Sequence, residues 1–317
     1  MKVSIIIPVK YINDYIREAV PHHMSLDYDD YEVLIFPDII RPGDMEGISE
    51  YAESFSPEVT PEELNSSAKK VFVIPSGETG PAEKRDLSFK YASGDIFAFT
   101  DDDAYPRADW LKNAVKILKD DAVGAVGGPA VTALGDDILK QAGGKVYESF
   151  LCSGGYTYRF IPGAYREDDD IPSVNLIVKR EVFEKVHGAG HLKQITNYAK
   201  HRGYFAKILP QTSLRPVYFI PTLFTLGLVL GPVVCVIFPF LWWLYFGVLL
   251  LYLLLASFSL RSCFLRDLGY DYGTGTEGYG PFYRVGLFFL SLLGILTTHV
   301  GYGIFFVRGL LSKELLR

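Results

Sequence analysis

Residues Gly80–Pro106 read GPAEKRDLSFKYASGDIFAFTDDDAYP, and the order of features in this stretch decides the fold. Pro81 to Ala92 starts with proline at the first helical position, and the helix it predicts is ended by Gly94. Ile96–Thr100 follows as a short continuous apolar run, the pattern of a strand covered on both faces. That strand runs into Asp101-Asp102-Asp103. Three adjacent carboxylates repel one another unless something positive sits among them. A divalent cation carrying a diphosphate is a natural counter-charge, because Mg2+ binds through one or two carboxylates plus phosphate oxygens. A solvated acidic turn is the plainer reading.

Similar apolar runs occur at Val3–Val9 (VSIIIPV), Glu32–Phe36, Val71–Ile74 and Val123–Val126. Between them lie helical signals. Thr60-Pro61-Glu62-Glu63 is a capping box with proline at the first turn. Asp109–Lys119 places Trp110, Ala114, Val115 and Leu118 on one face. Strands alternating with helices predict an α/β doubly wound domain with a parallel sheet. In such a sheet the ligand lies beyond the carboxyl ends of the strands. The residues to read for function are therefore Pro8 and Val9, Asp38, and the triplet Asp101–Asp103. No G-x-G-x-x-G or G-x-x-x-x-G-K-[ST] pattern occurs, which argues against dinucleotide and P-loop sites.

The character of the chain changes near Arg215. Residues 1–215 hold 25 Lys+Arg and 33 Asp+Glu, whereas residues 216–317 hold 6 and 4. Pro216–Leu260 is 45 residues without a charge, and Val285–Val307 is a further 23 whose only titratable group besides tyrosine is His299. At about 1.5 Å per residue the first run is roughly twice the hydrocarbon thickness of a bilayer, so two crossings are expected. Three membrane helices at about 217–238, 240–260 and 285–307 follow, with Pro232 and Pro239 near the turn and Trp242 and Trp243 at the interface. A buried hairpin in a soluble protein is the competing reading. The cationic flanks put Arg215, Arg261 and Arg266 inside but send Arg308, Lys313 and Arg317 outside, so the topology is not uniform. His299 reads either as a proton relay or as a neutral histidine bonded to a neighbouring helix.

The net charge of −6 argues against general nucleic-acid binding. Cys152, Cys235 and Cys263 lie far apart and suggest neither a disulfide framework nor a zinc site. The apolar run after Met1 is too short for a signal-peptide core, so the first domain is expected on the cytoplasmic side. His187–Arg215 has five Lys+Arg, three His and no acid, and residues 191–215 read as a basic amphipathic segment lying on the membrane.

Together VSIIIPV, EVLIFPD, the Gly80–Pro106 stretch and SVNLIVKREVFEKV resemble a family 2 glycosyltransferase with the A-type nucleotide-sugar fold. The resemblance spans about Met1–Val186, and QTSLRPVYFIP with TTHVGYGIFFVRG looks like the tail of membrane-bound members. It implies an α/β, Rossmann-like nucleotide-diphospho-sugar transferase domain over residues 1–190, followed by an α-helical membrane region over 216–317. The implied activity is transfer of a sugar from a UDP- or GDP-sugar to a lipid-linked or glycan acceptor, with Mg2+ or Mn2+ as cofactor, at the cell membrane among its lipids. Carried over by position, Pro8 and Val9 line the nucleobase pocket and Asp38 meets the base or ribose. Lys84 and Arg85 approach the nucleotide, unless they simply face solvent on their helix. Asp101 and Asp103 form the D-x-D pair, Asp103 nearest the metal, with Asp102 at the variable position.

Two departures matter. The usual P-x-[YF]-N-E opening is here Pro8-Val9-Lys10-Tyr11-Ile12-Asn13-Asp14, two residues longer. After Val186, family members usually continue into a segment whose E-D pair supplies the base on the acceptor hydroxyl, but residues 187–215 contain no Asp or Glu. Glu181, Glu184, His187 and the Asp168–Asp170 run are weak substitutes. A relative that binds nucleotide sugar or a partner with little turnover is therefore the alternative function. A membrane scaffold or small transporter, and a nucleotidyltransferase, are less well supported.

Overall fold

The computed structural model describes residues 1–133, 135–167, 171–185, 219–264 and 280–311. His187, the Asp168–Asp170 run, the basic segment 191–215 and most of the 265–280 connection lie outside the described residues. By packing, the chain forms two units, residues 1–130 with 164–194, and residues 131–163 with 195–317. Residues 131–163, inside the 1–190 span expected for the first domain, group by contacts with the C-terminal helices.

The first unit is built on a seven-stranded sheet. Its strands are β1 (Val3–Pro8), β2 (Tyr31–Phe36), β3 (Ala52–Ser54), β4 (Val71–Val73), β5 (Ile96–Phe99), β6 (Ala125–Gly127) and β7 (Leu176–Lys179), in the order β3-β4-β2-β1-β5-β7-β6. The five from β3 to β5 are parallel. β7 runs antiparallel to both β5 and β6, so the sheet is mixed rather than wholly parallel.

The continuous apolar runs are explained by two cores. Ile5, Ile7, Val33, Ile35 and Ala98 point to one face, with α1 (Asp14–Met24) and α4 (Trp110–Leu118) over it. Ile6, Leu34, Phe36, Phe97 and Phe99 point to the other, among Leu64 of α2 (Pro61–Ser66), Ala82 of α3 (Pro81–Leu87) and Phe183 of α7 (Arg180–Lys185). Successive side chains of a strand alternate faces, and here both faces are dry.

Local signals set several boundaries. The Thr60 capping box forms as read, with Glu63 N donating to Thr60 Oγ1 and Thr60 N to Glu63 Oε2. The helix expected over Pro81–Ala92 is α only to Leu87 and tightens to a 3-10 turn over Ser88–Lys90. Ser88 Oγ donates to Arg85 O at 2.6 Å, a back-bond that competes with the helix. Gly94 is required by close approach, since a methyl group there would meet Ser4 N and Oγ at 2.7 Å. At that same end Ser4 Oγ and Ser93 Oγ donate to the buried Glu32 carboxylate at 2.6 and 2.8 Å, and Lys2 pairs with it at 3.0 Å.

The second unit holds α5 (Ile138–Glu148), α6 (Phe150–Ser153), α8 (Ile220–Ile237), α9 (Trp242–Ser259) and α10 (Pro281–Leu311). The last three are long and apolar enough to cross a membrane. Pro232 lies inside α8; the turn is made at Phe238 and by the short 3-10 stretch Pro239–Leu241. His299 has a partner at each ring nitrogen. Nε2 lies 2.9 Å from Leu151 O, and Nδ1 lies 3.0 Å from Tyr252 Oη. A carbonyl only accepts, so Nε2 carries a proton, and the ring links α6 to α9.

Candidate nucleotide-sugar site

The carboxyl ends of β1, β2 and β5 lie side by side, and the sequence-derived candidates meet there. Pro8 ends β1 opposite Phe36 of β2. Val9 N donates to Phe36 O, and Asp38 N to Lys10 O at 3.0 Å, so the two strand ends continue as paired backbone. Val9 is buried in the α1–α4 core. What it gives the site is its carbonyl.

Lys84, from α3, is 2% exposed. Its ammonium donates to Val9 O, to Phe36 O at 3.2 Å and to the Asp38 carboxylate. An ammonium has three donors, and all three are used. Lys84 is thus neither on a solvated face nor free to reach a ligand. It fixes the ends of β1 and β2 and orients Asp38.

Arg85, the next residue, is 5% exposed and turns to the acidic triplet. Its Nη2 donates to Asp101 Oδ1 at 2.7 Å. Its Nε is buried with no hydrogen-bond partner among the described residues. Burial pulls the guanidinium below its ordinary value, and Asp101 works against that. Desolvation pushes the Asp101 carboxyl up; Arg85 pulls it down, and the neighbouring Asp103 and Asp102 charges add to the upward push. Among the described residues no three His, Cys, Asp or Glu side chains converge on one point. The chemistry of the donor set nevertheless fits a hard cation that takes one or two carboxylate oxygens and completes its shell with phosphate and water. Asp103 is exposed and Asp101 half-buried, and a cation between them would relieve the repulsion that the Asp103 and Asp102 charges exert on Asp101.

Three supporting contacts were not read from the sequence. Asn13 caps α1, its Oδ1 accepting from Ile16 N at 2.9 Å, while its Nδ2 donates to Asp102 Oδ2 at 2.7 Å. Asparagine followed by Asp14 was a legible cap signal, but the cross-chain bond was not. The His22 ring stacks on Tyr105 with centroids 4.2 Å apart, a second tie from α1 to the loop after the triplet. Trp110 Nε1 donates to Asn175 Oδ1 at 2.9 Å, fixing the turn that leads into β7.

The topology puts the candidate base Glu181 at the other edge of the sheet. β7 is antiparallel to β5, and its last residue Lys179 faces Ile96, the first residue of β5. Glu181 and Glu184 therefore lie beyond the edge of the sheet where β5 begins, while Asp101–Asp103 lie beyond the edge where it ends. The length of β5 alone separates them by roughly 10 Å. Glu184 is in addition paired with Arg180 at 3.1 Å.

The chain is 26% identical over 186 residues to the glycosyltransferase AglE of Haloferax volcanii, covering 58% of this chain and 54% of AglE. It thus spans about half the length of this curated relative. Among solved structures, residues 1–349 of S. aureus TarS match 59% of this chain and 49% of that one, at 17% identity and a TM-score of 0.36. The Pyrobaculum calidifontis mannosyltransferase PcManGT, solved with GDP-Man and Mn2+, matches 99% of this chain and 76% of that one, at 14% identity and a TM-score of 0.38. Residues 4–186, more than half of the chain, match the family described as Glycosyl transferase family 2, and the chain belongs to that family.

Proposed function

We propose that this chain is a membrane-bound glycosyltransferase that takes a sugar from a UDP- or GDP-sugar and passes it to a lipid-linked or glycan acceptor. The observation that carries the reading is the pairing of a buried, half-satisfied Arg85 with an acidic triplet at the carboxyl end of β5. A guanidinium held beside the triplet supplies positive charge that suits a diphosphate. Pro8, Val9 and Asp38 form the wall for the base and ribose. Lys84 holds that wall in place, and Asp102 is held from α1. Asp103 and Asp101 would hold Mg2+ or Mn2+, and the chemistry the ion supplies when bound is stabilisation of charge on the departing nucleoside diphosphate. The three apolar helices favour a membrane location, with the nucleotide site on the cytoplasmic side where nucleotide sugars are made.

A second reading is favoured by one observation: residues 187–215 contain no acid to act as base. In it the protein binds donor and turns over slowly or not at all. The test is calorimetric titration of the full chain in detergent with UDP- and GDP-sugars, with and without Mn2+. Metal-dependent binding lost in Asp103→Ala is expected. No binding of either nucleotide would overturn the donor site. Binding with no measurable transfer to any acceptor pool would favour the second reading over the first.

A further inference from the structure

The helix α5 tracks α10 in step. A methyl group at Gly286 would come within 3.3 Å of Ile138, and one at Gly294 within 2.6 Å of Val146. His299 then meets Leu151 O. Residues 138, 146 and 151 thus face 286, 294 and 299, so the two segments run parallel over 13 residues, or roughly 20 Å. All of these α10 positions fall inside the apolar run Val285–Val307. Small residues at such a contact are how helices approach closely in lipid.

The surface of this segment is inverted relative to a soluble helix. Over residues 138–153 the exposed side chains are Leu139, Lys140, Tyr147 and Phe150. Leu139, Tyr147 and Phe150 are 68%, 58% and 67% exposed. The polar groups are turned inward and paired instead. Lys145 bonds Glu148 at 2.8 Å with both side chains largely covered. Ser149 Oγ meets Ser259 Oγ at 2.8 Å, and the buried Gln141 donates to Ala133 O. Lys140 lies at the Gly286 end, near the start of the apolar run, where a long cation reaches headgroups. The chain then turns at Gly154, whose φ of +57° favours glycine, and starts back along its own path, with Phe160 stacked on Tyr147 at a centroid distance of 5.1 Å. The flanks on both sides, up to 130 and from 164, belong to the same first unit. A segment that goes in must therefore come back out on the side it entered.

We propose that residues 137–163 form a re-entrant segment, which enters the bilayer beside α10, turns at Gly154 and returns to the same side. The partner of Leu139, Tyr147 and Phe150 is lipid acyl chain. The proposal rests on reading α8–α10 as membrane spans, and the test separates the two. The full chain, in a cysteine-free background, receives single cysteines by Leu139→Cys, Phe150→Cys or, as a span reference, Leu293→Cys. Each is labelled with an environment-sensitive fluorophore and placed in lipid nanodiscs. At positions 139 and 150, doxyl-lipid quenching of at least twofold is expected, matching position 293, with little quenching by iodide. Lipid quenching at 293 together with iodide quenching at 139 and 150 would overturn the re-entrant segment and leave the spans standing. Iodide quenching at all three would overturn the membrane reading itself. Should the cysteine-free chain fail to fold, Phe150→Trp in the otherwise native protein is read with brominated lipids. Additional quenching beyond the native tryptophans supports the proposal, and none overturns it.

Discussion

Lys84→Met tests whether the buried lysine serves the fold or the ligand. The substitution keeps a flexible apolar stem of similar length and removes an ammonium that holds Val9 O, Phe36 O and the Asp38 carboxylate. Removing one partner of a buried ion pair costs about 3–5 kcal/mol. Asp38 keeps 15% side-chain exposure, so water recovers part of its solvation, and the lower end of that range, about 3 kcal/mol, is expected. For a domain of this size that corresponds to a fall in Tm of about 6–12 °C. The double variant Lys84→Met/Asp38→Asn removes the stranded charge and should regain roughly half of the loss. The assay is thermal unfolding of the full chain in detergent, followed by nucleotide titration below the transition. An unchanged Tm with abolished nucleotide binding would refute the reasoning, because it would mean that the charge acts on the ligand and not on the strand ends.

Other expectations follow from single contacts. Asn13→Asp keeps the helix cap but replaces the donor to Asp102 with a second carboxylate; Tm should hold within about 1 °C while nucleotide binding weakens about tenfold, as for a lost hydrogen bond to a charged group. Asn13→Ala loses the cap as well and should cost about 1 kcal/mol in a denaturation curve. Burial pushes His23 down from 6.5 to about 4, so the folded state refuses a proton that the unfolded state takes. Stability is therefore full above pH 6.5 and falls by about 3 kcal/mol as pH drops toward 4, and His23→Gln should flatten that part of the Tm–pH curve. Gly94→Ala drives a methyl group to 2.7 Å from Ser4 N, which is backbone and yields little, so a loss of about 3 kcal/mol, the upper end for overpacking, is expected by the same unfolding assay. Gly143→Ala, with nothing within 4 Å of the added methyl, should be neutral or slightly stabilising.

What was legible in the sequence was what depends on local pattern. The runs at Val3, Glu32 and Ile96 became central strands because a strand dry on both faces must be apolar throughout. The acidic triplet fell at a strand end as read, and the Thr60 box capped a helix. What was not legible depends on partners distant in the chain. β3 and β7 are three and four residues long and carry no distinctive period, so the antiparallel return of β7 and the misplacement of Glu181 could not be seen. Lys84 and Arg85 look like a basic helix face until their acceptors, 46 and 16 residues away, are brought to them. The 131–163 segment was not singled out in the sequence, because pairing of Lys145 with Glu148 and Ser149 with Ser259 is invisible before packing.

The position of β7 also bears on biogenesis. β6 pairs with β7 alone, and β7 sits between β5 and β6 although it is synthesised after both. As the chain leaves the ribosome, β5 therefore waits with one open edge and β6 waits with no neighbour at all. A nascent chain stalled, or a gene truncated, anywhere between residues 128 and 175 loses two strands and leaves the Ile96–Phe99 edge unsealed, directly beneath the acidic triplet. Sealing of the strand that carries the acidic triplet is thereby coupled to translation past Lys179, after the whole 131–163 excursion has already been made.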